Sequence, residues 1–286
     1  MNPKFKSEVH CWVRSVTSNT CRKKTMDEAL RICEELYLSP LPSGRERWVV
    51  GIGGIPASGK TTVAAALARS ITELSGLACV AVSMDGFHLA RSSLDAMDDP
   101  AEAHRRRGVH WTFDLPAFAA FIAALRTEDR VLAPSFDHAR GDPVQADIEV
   151  GPDAAIVLVE GLYCLLSAPS DWARLVRDQF DARIFVECSI ETAAQRIVAR
   201  HVATGVAAGE LSFIYRYILR ESCSQFDSLP LTSLTISDTG VAADAASAQL
   251  RWESSDLLNA QHVHASLDRA TVDAVVCNDD PVATPG

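Results

Sequence analysis

The sequence predicts a single α/β domain in which a mainly parallel sheet lies between two layers of helices. Two observations support this prediction: short apolar runs recur along the chain, and stretches with helical spacing of apolar residues separate them. Because a helical crossover lets successive strands run parallel, this alternation favours a three-layer α/β/α sandwich. The apolar runs are Trp48–Ile52, Cys79–Val82, Ala155–Val159, Ile184–Val186 and Ala274–Cys277, and the helical stretches between them include Thr61–Leu74, Pro116–Leu125 and Ile190–Val202.

The composition excludes several classes of protein and partner. With 48% hydrophobic and 22% charged residues, the 286-residue chain resembles a globular protein rather than a collagen or a disordered chain. Its 27 Lys and Arg against 37 Asp and Glu give a net charge of −10, which argues against a nucleic-acid partner. The sequence has no run of about 18 apolar residues, so we expect no membrane partner.

The N-terminal residues 1–24 are predicted to be an extension that need not be ordered. They carry six Lys or Arg and one acid, Glu8, and they lack the apolar segment of a signal peptide. We therefore expect a cytoplasmic protein, with a mitochondrial location as the alternative because the basic bias resembles a transit peptide. The eight cysteines lie far apart, without metal-ligand spacing, and are expected to be reduced, mostly buried thiols.

The domain is predicted to span 25–280, starting with a helix at Thr25, where Thr25 and Glu28 form a capping box. A pentapeptide, Thr-Gly-Val-Ala-Ala, occurs at 204–208 and again at 239–243, and no clear periodicity separates the two copies. We interpret about 209–239 as an insertion, after which a helical stretch resumes at Asp244–Leu258. The alternative is a lid over the site, built on an apolar helical face of Phe213, Ile214, Tyr217 and Ile218. Residues 281–286 are expected to be a frayed tail.

A complete phosphate-binding loop, the P-loop, follows the first apolar run and opens a helix. In such a loop the glycines let backbone N–H groups surround phosphate oxygens, Lys60 faces the β- and γ-phosphates, and the Thr61 hydroxyl holds Mg²⁺. The alternative is a Gly-rich turn that only packs a helix on a strand. The predicted nucleotide-binding residues are Gly54, Ile55, Pro56, Ala57, Ser58, Gly59, Lys60, Thr61 and Thr62.

Two carboxylates follow later apolar runs. Asp85, just after the second run, could accept the proton of a substrate hydroxyl or contact the metal; alternatively it caps the following turn. Glu160 ends the run at Ala155–Val159, as a metal-site acid would, although a solvated surface position is the alternative. Both should lie at the carboxyl edge of the sheet, where ligands bind in open α/β folds.

Arg196 and Arg200 are four residues apart on a predicted helix, so both guanidinium groups project from one face. They could close over the phosphates and act in catalysis, or they could form a basic, solvated face.

These motifs, in this order, resemble the phosphoribulokinase/uridine kinase family, which also includes the bacterial-type pantothenate kinases. The resemblance rests on Gly54–Thr61, Ser83–His88, Val159–Gly161 and the Arg196/Arg200 helix. It spans roughly 48–206 and resumes near 244–278. The resemblance implies a P-loop NTPase fold, ATP and Mg²⁺ as cofactors, Lys60 and Thr61 as ATP·Mg²⁺ ligands, Asp85 as the base, and Glu160 near the metal or substrate.

Two segments resemble the family's substrate region, 105–114 and the stretch 134–143, which we predict to be an irregular loop. Aromatic rings beside polar groups could bind a polar metabolite, whereas a solvated Arg triplet and a structural turn at Asp142-Pro143 are the alternatives. The candidate substrate residues are His88, Arg107, Phe136, Asp137, His138, Arg140 and Tyr163.

The sequence thus predicts a kinase that transfers the ATP γ-phosphate to a hydroxyl of a small metabolite. The sequence does not distinguish a nucleoside, a pantothenate-like compound and a sugar as the acceptor. It is also compatible with a homodimer. The alternative is a nucleotide-binding protein with little or no transferase activity, either a regulatory ATPase or an enzyme that the insertion disables.

Overall fold

The structure is a computed structural model, and it describes residues 20–137, 140–204 and 248–279. The proposed insertion at about 209–239, both copies of the pentapeptide except Thr204, the tail 281–286 and most of the extension 1–24 therefore lie outside the described residues. Within the described ranges, no helix combines the length and the apolar character needed to cross a membrane.

A five-stranded parallel sheet forms the centre of the fold. Its strands lie in the order β2-β5-β1-β6-β7, and every neighbouring pair is parallel. The prediction of a mainly parallel α/β fold is confirmed. The strands, with the two of a separate hairpin, are β1 Trp48–Gly54, β2 Ala78–Ser83, β3 Val131–Asp137, β4 Asp142–Val150, β5 Ala154–Glu160, β6 Ala182–Glu187 and β7 Ala274–Cys277.

Helices cover both faces of this sheet. They are α1 Thr20–Leu38, α2 Lys60–Ser75, α3 Arg91–Asp95, α4 Pro100–Arg105, α5 Leu115–Thr127, α6 Ser170–Leu175, α7 Ile190–Thr204 and α8 Leu257–Ser266, with a π-helical turn at Trp252–Asp256 leading into α8. The first helix begins at Thr20 rather than at the predicted Thr25, because the Arg and Lys residues between them favour helix and extend it by a turn. The C-terminal helix likewise continues to Ser266, beyond the predicted end at Leu258.

Side chains alternate between two hydrophobic clusters, one on each face of the sheet. On β5, Ile156 and Leu158 pack in the cluster that α1 and α2 cover, whereas Val157 and Val159 pack in the cluster that α5, α7 and α8 cover. Because successive residues of a strand point to opposite faces, an apolar run with no polar position requires cover on both sides. This packing confirms the three-layer arrangement.

The stretch 134–143 forms most of an antiparallel hairpin, so the predicted irregular loop was wrong. Phe136 pairs with Pro143 and Asp137 with Asp142, and the register shifts next to Pro134. The strands could not be recognised from the sequence, because this stretch is polar and contains two prolines. An exposed two-stranded ribbon needs no continuous apolar run and tolerates proline at its edges. Residues 138 and 139, at the tip, lie outside the described residues.

The hairpin lies against the turn that follows β2. At Gly86 in that turn, a Cβ atom would lie 2.1 Å from the carbonyl oxygen of Pro134, so only glycine permits this approach. The contact brings the hairpin to the carboxyl edge of the sheet, next to the candidate site.

Candidate active site

Three neighbouring strands end side by side at the carboxyl edge of the sheet. Glu160, the last residue of β5, is in register with Ser83 at the end of β2 and with Ile52 near the end of β1. The P-loop follows β1, and the turn with Asp85 follows β2. Parallel pairing therefore brings the P-loop and both predicted carboxylates to one place.

The P-loop curls between β1 and the first turn of α2, which begins at Lys60. Gly59 has a left-handed φ of 92°, and Ala57 also has a positive φ, of 56°. The Ser58 side chain is completely buried, and its hydroxyl has no hydrogen-bond partner among the described residues. A buried donor without a partner next to a helix N-terminus suits a bound anion, so the residues present fit a nucleotide phosphate.

The side chain of Lys60 contacts the loop and interacts electrostatically with the two carboxylates. Its Nζ donates a 2.9 Å hydrogen bond to the carbonyl oxygen of Ile55. Burial lowers the pKa of Lys60 and the positive charge of Arg200 lowers it further, whereas the negative charges of Glu160 and Asp85 raise it. The ammonium group therefore interacts electrostatically with both carboxylates.

Glu160 is buried, with 4% of its surface exposed, so it is not the solvated residue of the alternative interpretation. The Thr61 hydroxyl donates a 3.0 Å hydrogen bond to Glu160 Oε1. Burial raises the pKa of Glu160 and the charge of Asp85 adds to the rise, whereas Lys60 and hydrogen bonds from Ser83 and Thr61 oppose it. A hydroxyl and a carboxylate in contact form an oxygen-rich pair of the kind that Mg²⁺ prefers.

Asp85 lies in the short helical turn Met84–Phe87. The capping position of this turn belongs to Ser83, whose hydroxyl accepts a 3.3 Å hydrogen bond from the Asp85 backbone N–H. The carboxylate of Asp85 does not cap the turn, in contrast to the alternative interpretation. It lies near enough to Lys60 and Glu160 to affect the pKa of each.

Arg196 and Arg200, both on α7, differ in their surroundings. Arg196 donates hydrogen bonds to the carbonyl oxygens of Ala57, at 3.2 Å, and Asn278, at 2.9 Å. It therefore binds the P-loop backbone, a partner that helical spacing alone did not indicate. Arg200 is exposed, and its charge reaches Lys60.

Aromatic rings from three separate segments meet beside Asp85. The ring of His88 lies 4.0 Å from that of Phe113 and 4.9 Å from that of Phe136, measured between centroids. His88 Nδ1 is 2.8 Å from the carbonyl oxygen of Asp85, and the Arg107 guanidinium lies 5.6 Å above the Phe136 ring. The structure thus brings together His88, Arg107 and Phe136 of the predicted substrate residues.

Arg107 also fastens the hairpin to this aromatic group. Its guanidinium donates to the carbonyl oxygen of Leu89 at 2.9 Å, to Asp142 Oδ1 at 3.1 Å, and to the carbonyl oxygen of Gly141. Farther out on the hairpin, Asp137 and Arg140 form an ion pair at 3.4 Å in which the Arg140 side chain is 82% exposed. His138 lies outside the described residues.

Tyr163, predicted to contact the substrate, has a completely buried side chain. Its hydroxyl donates a 2.9 Å hydrogen bond to the carbonyl oxygen of Gly108, and its ring packs edge-on against Phe113 and Trp172. A buried tyrosine needs a partner for its hydroxyl, and here a backbone carbonyl supplies it. Tyr163 therefore supports the substrate segment from the core.

Asn278, the first residue after β7, is not among the residues predicted from the sequence. Its Nδ2 donates a 2.6 Å hydrogen bond to the carbonyl oxygen of Ser58 in the P-loop. Its position could have indicated a role at the site, because β7 runs parallel to the other strands and ends at the same edge of the sheet.

Known proteins resemble this chain in sequence. The model of the phosphoribulokinase/uridine kinase family matches residues 49–205, more than half of the chain. A protein of Schizosaccharomyces pombe named "Putative uridine kinase C227.14" is 38% identical over 190 residues, which are 64% of this chain and 79% of that protein.

Two solved structures are similar in fold. One, a "putative fructose transport system kinase" from Silicibacter sp. TM1040, is 28% identical, with a TM-score of 0.65 over 86% of this chain and 97% of that one. The other, YFH7 from Saccharomyces cerevisiae, shares the fold at 18% identity, with a TM-score of 0.60 over 91% of this chain and 99% of that one.

Proposed function

The chain belongs to the phosphoribulokinase/uridine kinase family, and from this premise we propose that it transfers the γ-phosphate of ATP to a hydroxyl group of a small metabolite. The observation that carries the proposal is the position of Asp85. A carboxylate beside the P-loop lysine, at the edge of the sheet and next to a half-buried aromatic group, is what hydroxyl phosphorylation requires. A protein that only binds nucleotide needs no group that accepts a proton from a bound hydroxyl.

The P-loop residues Gly54–Thr61, with Thr62 in the first turn of α2, are proposed to hold the ATP phosphates. The orphaned Ser58 hydroxyl and the N-terminus of α2 support this assignment. Lys60 holds a positive charge beside the transferred group, and Arg200 is proposed to add a second one from α7. Arg196 acts on the same site through the loop carbonyls that it binds.

Thr61 and Glu160 are proposed to hold Mg²⁺, with Asp85 as a further carboxylate nearby. A Mg²⁺ ion held there would neutralise charge that develops during phosphoryl transfer. The 3.0 Å bond between the Thr61 hydroxyl and Glu160 keeps both oxygen groups together before any metal binds. Because a hydroxyl that donates its proton keeps its lone pairs, Thr61 can still ligate a cation.

Asp85 is proposed to orient the acceptor hydroxyl and to accept its proton. The acceptor would lie against the half-buried rings of His88 and Phe136, which pack around the buried Phe113, with Arg107 at its border. Flat aromatic faces beside a guanidinium suit a ring-bearing, polar compound such as a nucleoside. Asp137, His138 and Arg140 on the hairpin are proposed as outer contacts, and sugars and pantothenate-like compounds are further candidate acceptors.

The test is product formation with purified full-length protein, ATP and Mg²⁺, in separate reactions with nucleosides, pantothenate and simple sugars. Mass spectrometry should detect one phosphorylated acceptor together with an equal amount of ADP, and the D85N variant should form neither at a comparable rate. ADP without a phosphorylated acceptor would instead support the nucleotide-binding ATPase, and absence of ATP binding would contradict both functions.

A further inference from the structure

We propose that Asn278 is a positioning residue that sets the shape of the P-loop for nucleotide binding. This inference rests on the proposed function, because it assumes that the loop binds ATP phosphates. Asn278 lies far from the loop in sequence and follows β7, yet three of its polar atoms connect the strand ends around the loop.

The first step of the argument is how firmly Asn278 is held. Its backbone N–H donates a 2.8 Å hydrogen bond to the carbonyl oxygen of Glu187, the last residue of β6. Its own carbonyl oxygen accepts a 2.9 Å bond from Arg196 on α7. The residue is 4% exposed, so the side chain cannot move away from the loop without breaking these contacts or opening the core.

The second step is what the side chain does to the loop. Nδ2 donates a 2.6 Å hydrogen bond to the carbonyl oxygen of Ser58. In a planar trans peptide the carbonyl and the next N–H point in opposite directions. Because Asn278 holds the Ser58 carbonyl on its own side, the Gly59 N–H points away from Asn278, towards the opposite side of the loop. That orientation suits a phosphate-binding N–H.

The third step is the fit at Gly59. A Cβ atom on Gly59 would lie only 2.2 Å from Nδ2 of Asn278, and the φ of 92° excludes most other residues in any case. The amide therefore fills the space behind Gly59. Arg196 binds the preceding carbonyl, that of Ala57, so two residues from outside the motif hold two successive peptides of the loop.

Three variants test the proposal. N278A removes the donor, N278D keeps the size but turns an oxygen towards the Ser58 carbonyl, and N259A is the matched control. Asn259 on α8 is also 4% exposed, and its side chain donates at 3.5 Å to Gly108, outside the P-loop. Calorimetry gives the Kd for ATP and ADP in the folded protein, and steady-state kinetics separate the KM for ATP from the KM for the acceptor.

We expect N278A to weaken ATP and ADP binding about tenfold, the effect of one lost hydrogen bond. N278D should weaken binding more, because it adds a negative charge near the phosphates, and its deficit relative to wild type should shrink as the pH falls and that carboxyl group is protonated. The KM for the acceptor should change little. N259A should keep the wild-type Kd even where it melts at a lower temperature.

Unchanged Kd values in N278A and N278D, with wild-type protein that binds ATP, would overturn the proposal while leaving the kinase function intact. Failure of wild-type protein to bind ATP would instead contradict the proposed function. N278S, which keeps a short donor, replaces N278A where the alanine variant does not fold. Loss of folding in all three Asn278 variants would also overturn the proposal, since the residue would then be needed for the fold as a whole.

Discussion

The hydroxyl of Thr61 donates a 3.0 Å hydrogen bond to the carboxylate of Glu160. Ninety-nine residues separate the two in sequence, yet this bond joins the start of α2 to the end of β5. Burial raises the pKa of Glu160, whereas the nearby ammonium of Lys60 and the hydrogen bonds from Ser83 and Thr61 favour its charged form. The pair is therefore preformed, and changes to Thr61 should affect metal use before they affect the fold.

A change at Thr61 tests the proposed Mg²⁺ site. Thr61→Val keeps the shape of the side chain but removes the hydroxyl, so we expect a higher Mg²⁺ concentration for half-maximal turnover and at least a tenfold loss of rate, as for other groups that stabilise developing charge. Thr61→Ser keeps the hydroxyl and is the control, with a Mg²⁺ requirement near that of wild type. Equal Mg²⁺ titrations for the two variants would remove Thr61 from the metal site.

Asp85→Asn tests the proposed base. The amide is the same size but cannot accept the proton of the acceptor hydroxyl, so turnover should fall about 100-fold or more. ATP affinity, measured by calorimetry, should stay close to that of wild type. Asp98→Asn, in an exposed loop, is the control and should keep full turnover. Wild-type turnover in the Asp85 variant would show that another group accepts the proton.

Gly86→Ala tests whether the hairpin depends on close approach to the turn after β2. The added Cβ would meet a backbone carbonyl that cannot rotate away, so we expect a loss of about 1–3 kcal/mol in the free energy of unfolding. Gly151→Ala is the control, because there the Cβ would meet only the end of the Asp153 side chain. Urea denaturation measures both, and equal stabilities would mean that the turn and hairpin adjust without cost.

Stability should also depend on pH through His110. Its ring stacks on that of His262 at 5.1 Å between centroids, which joins the segment before α5 to α8. Burial lowers the pKa of His110 from its usual 6.5, and the charge of His262 lowers it further. Around and below pH 6.5 the unfolded chain therefore binds more protons at this position than the native protein does. The free energy of unfolding should fall as the pH falls below about 6.5, and it should recover as the pH rises again.

His110→Phe keeps a flat ring against His262 but cannot be protonated. The free energy of unfolding of this variant should therefore decrease less than that of wild type between pH 7 and 5, as measured by urea denaturation at each pH. Parallel curves for the two proteins would show that His110 titrates alike in the folded and unfolded chains.

Features that short stretches of sequence encode could be predicted without a structure. The P-loop at Gly54–Thr61, the strands around it and the order of motifs could be predicted because each rests on neighbouring residues and their periodicity. Asp85 and Glu160 could be assigned to one sheet edge for the same reason, since parallel strands carry their carboxyl ends to the same side.

The contacts of the remaining side chains became clear from the folded structure. Helical spacing predicted which face of the helix carries Arg196 but not which group it binds. In the structure it binds the carbonyl oxygen of Ala57 in the P-loop. Tyr163 follows a strand end, as a ligand-binding residue would, yet it turns into the core. Asn278 reaches Ser58 across 220 residues of sequence. Such contacts depend on strand order and on packing between layers, and local sequence patterns carry no information about either.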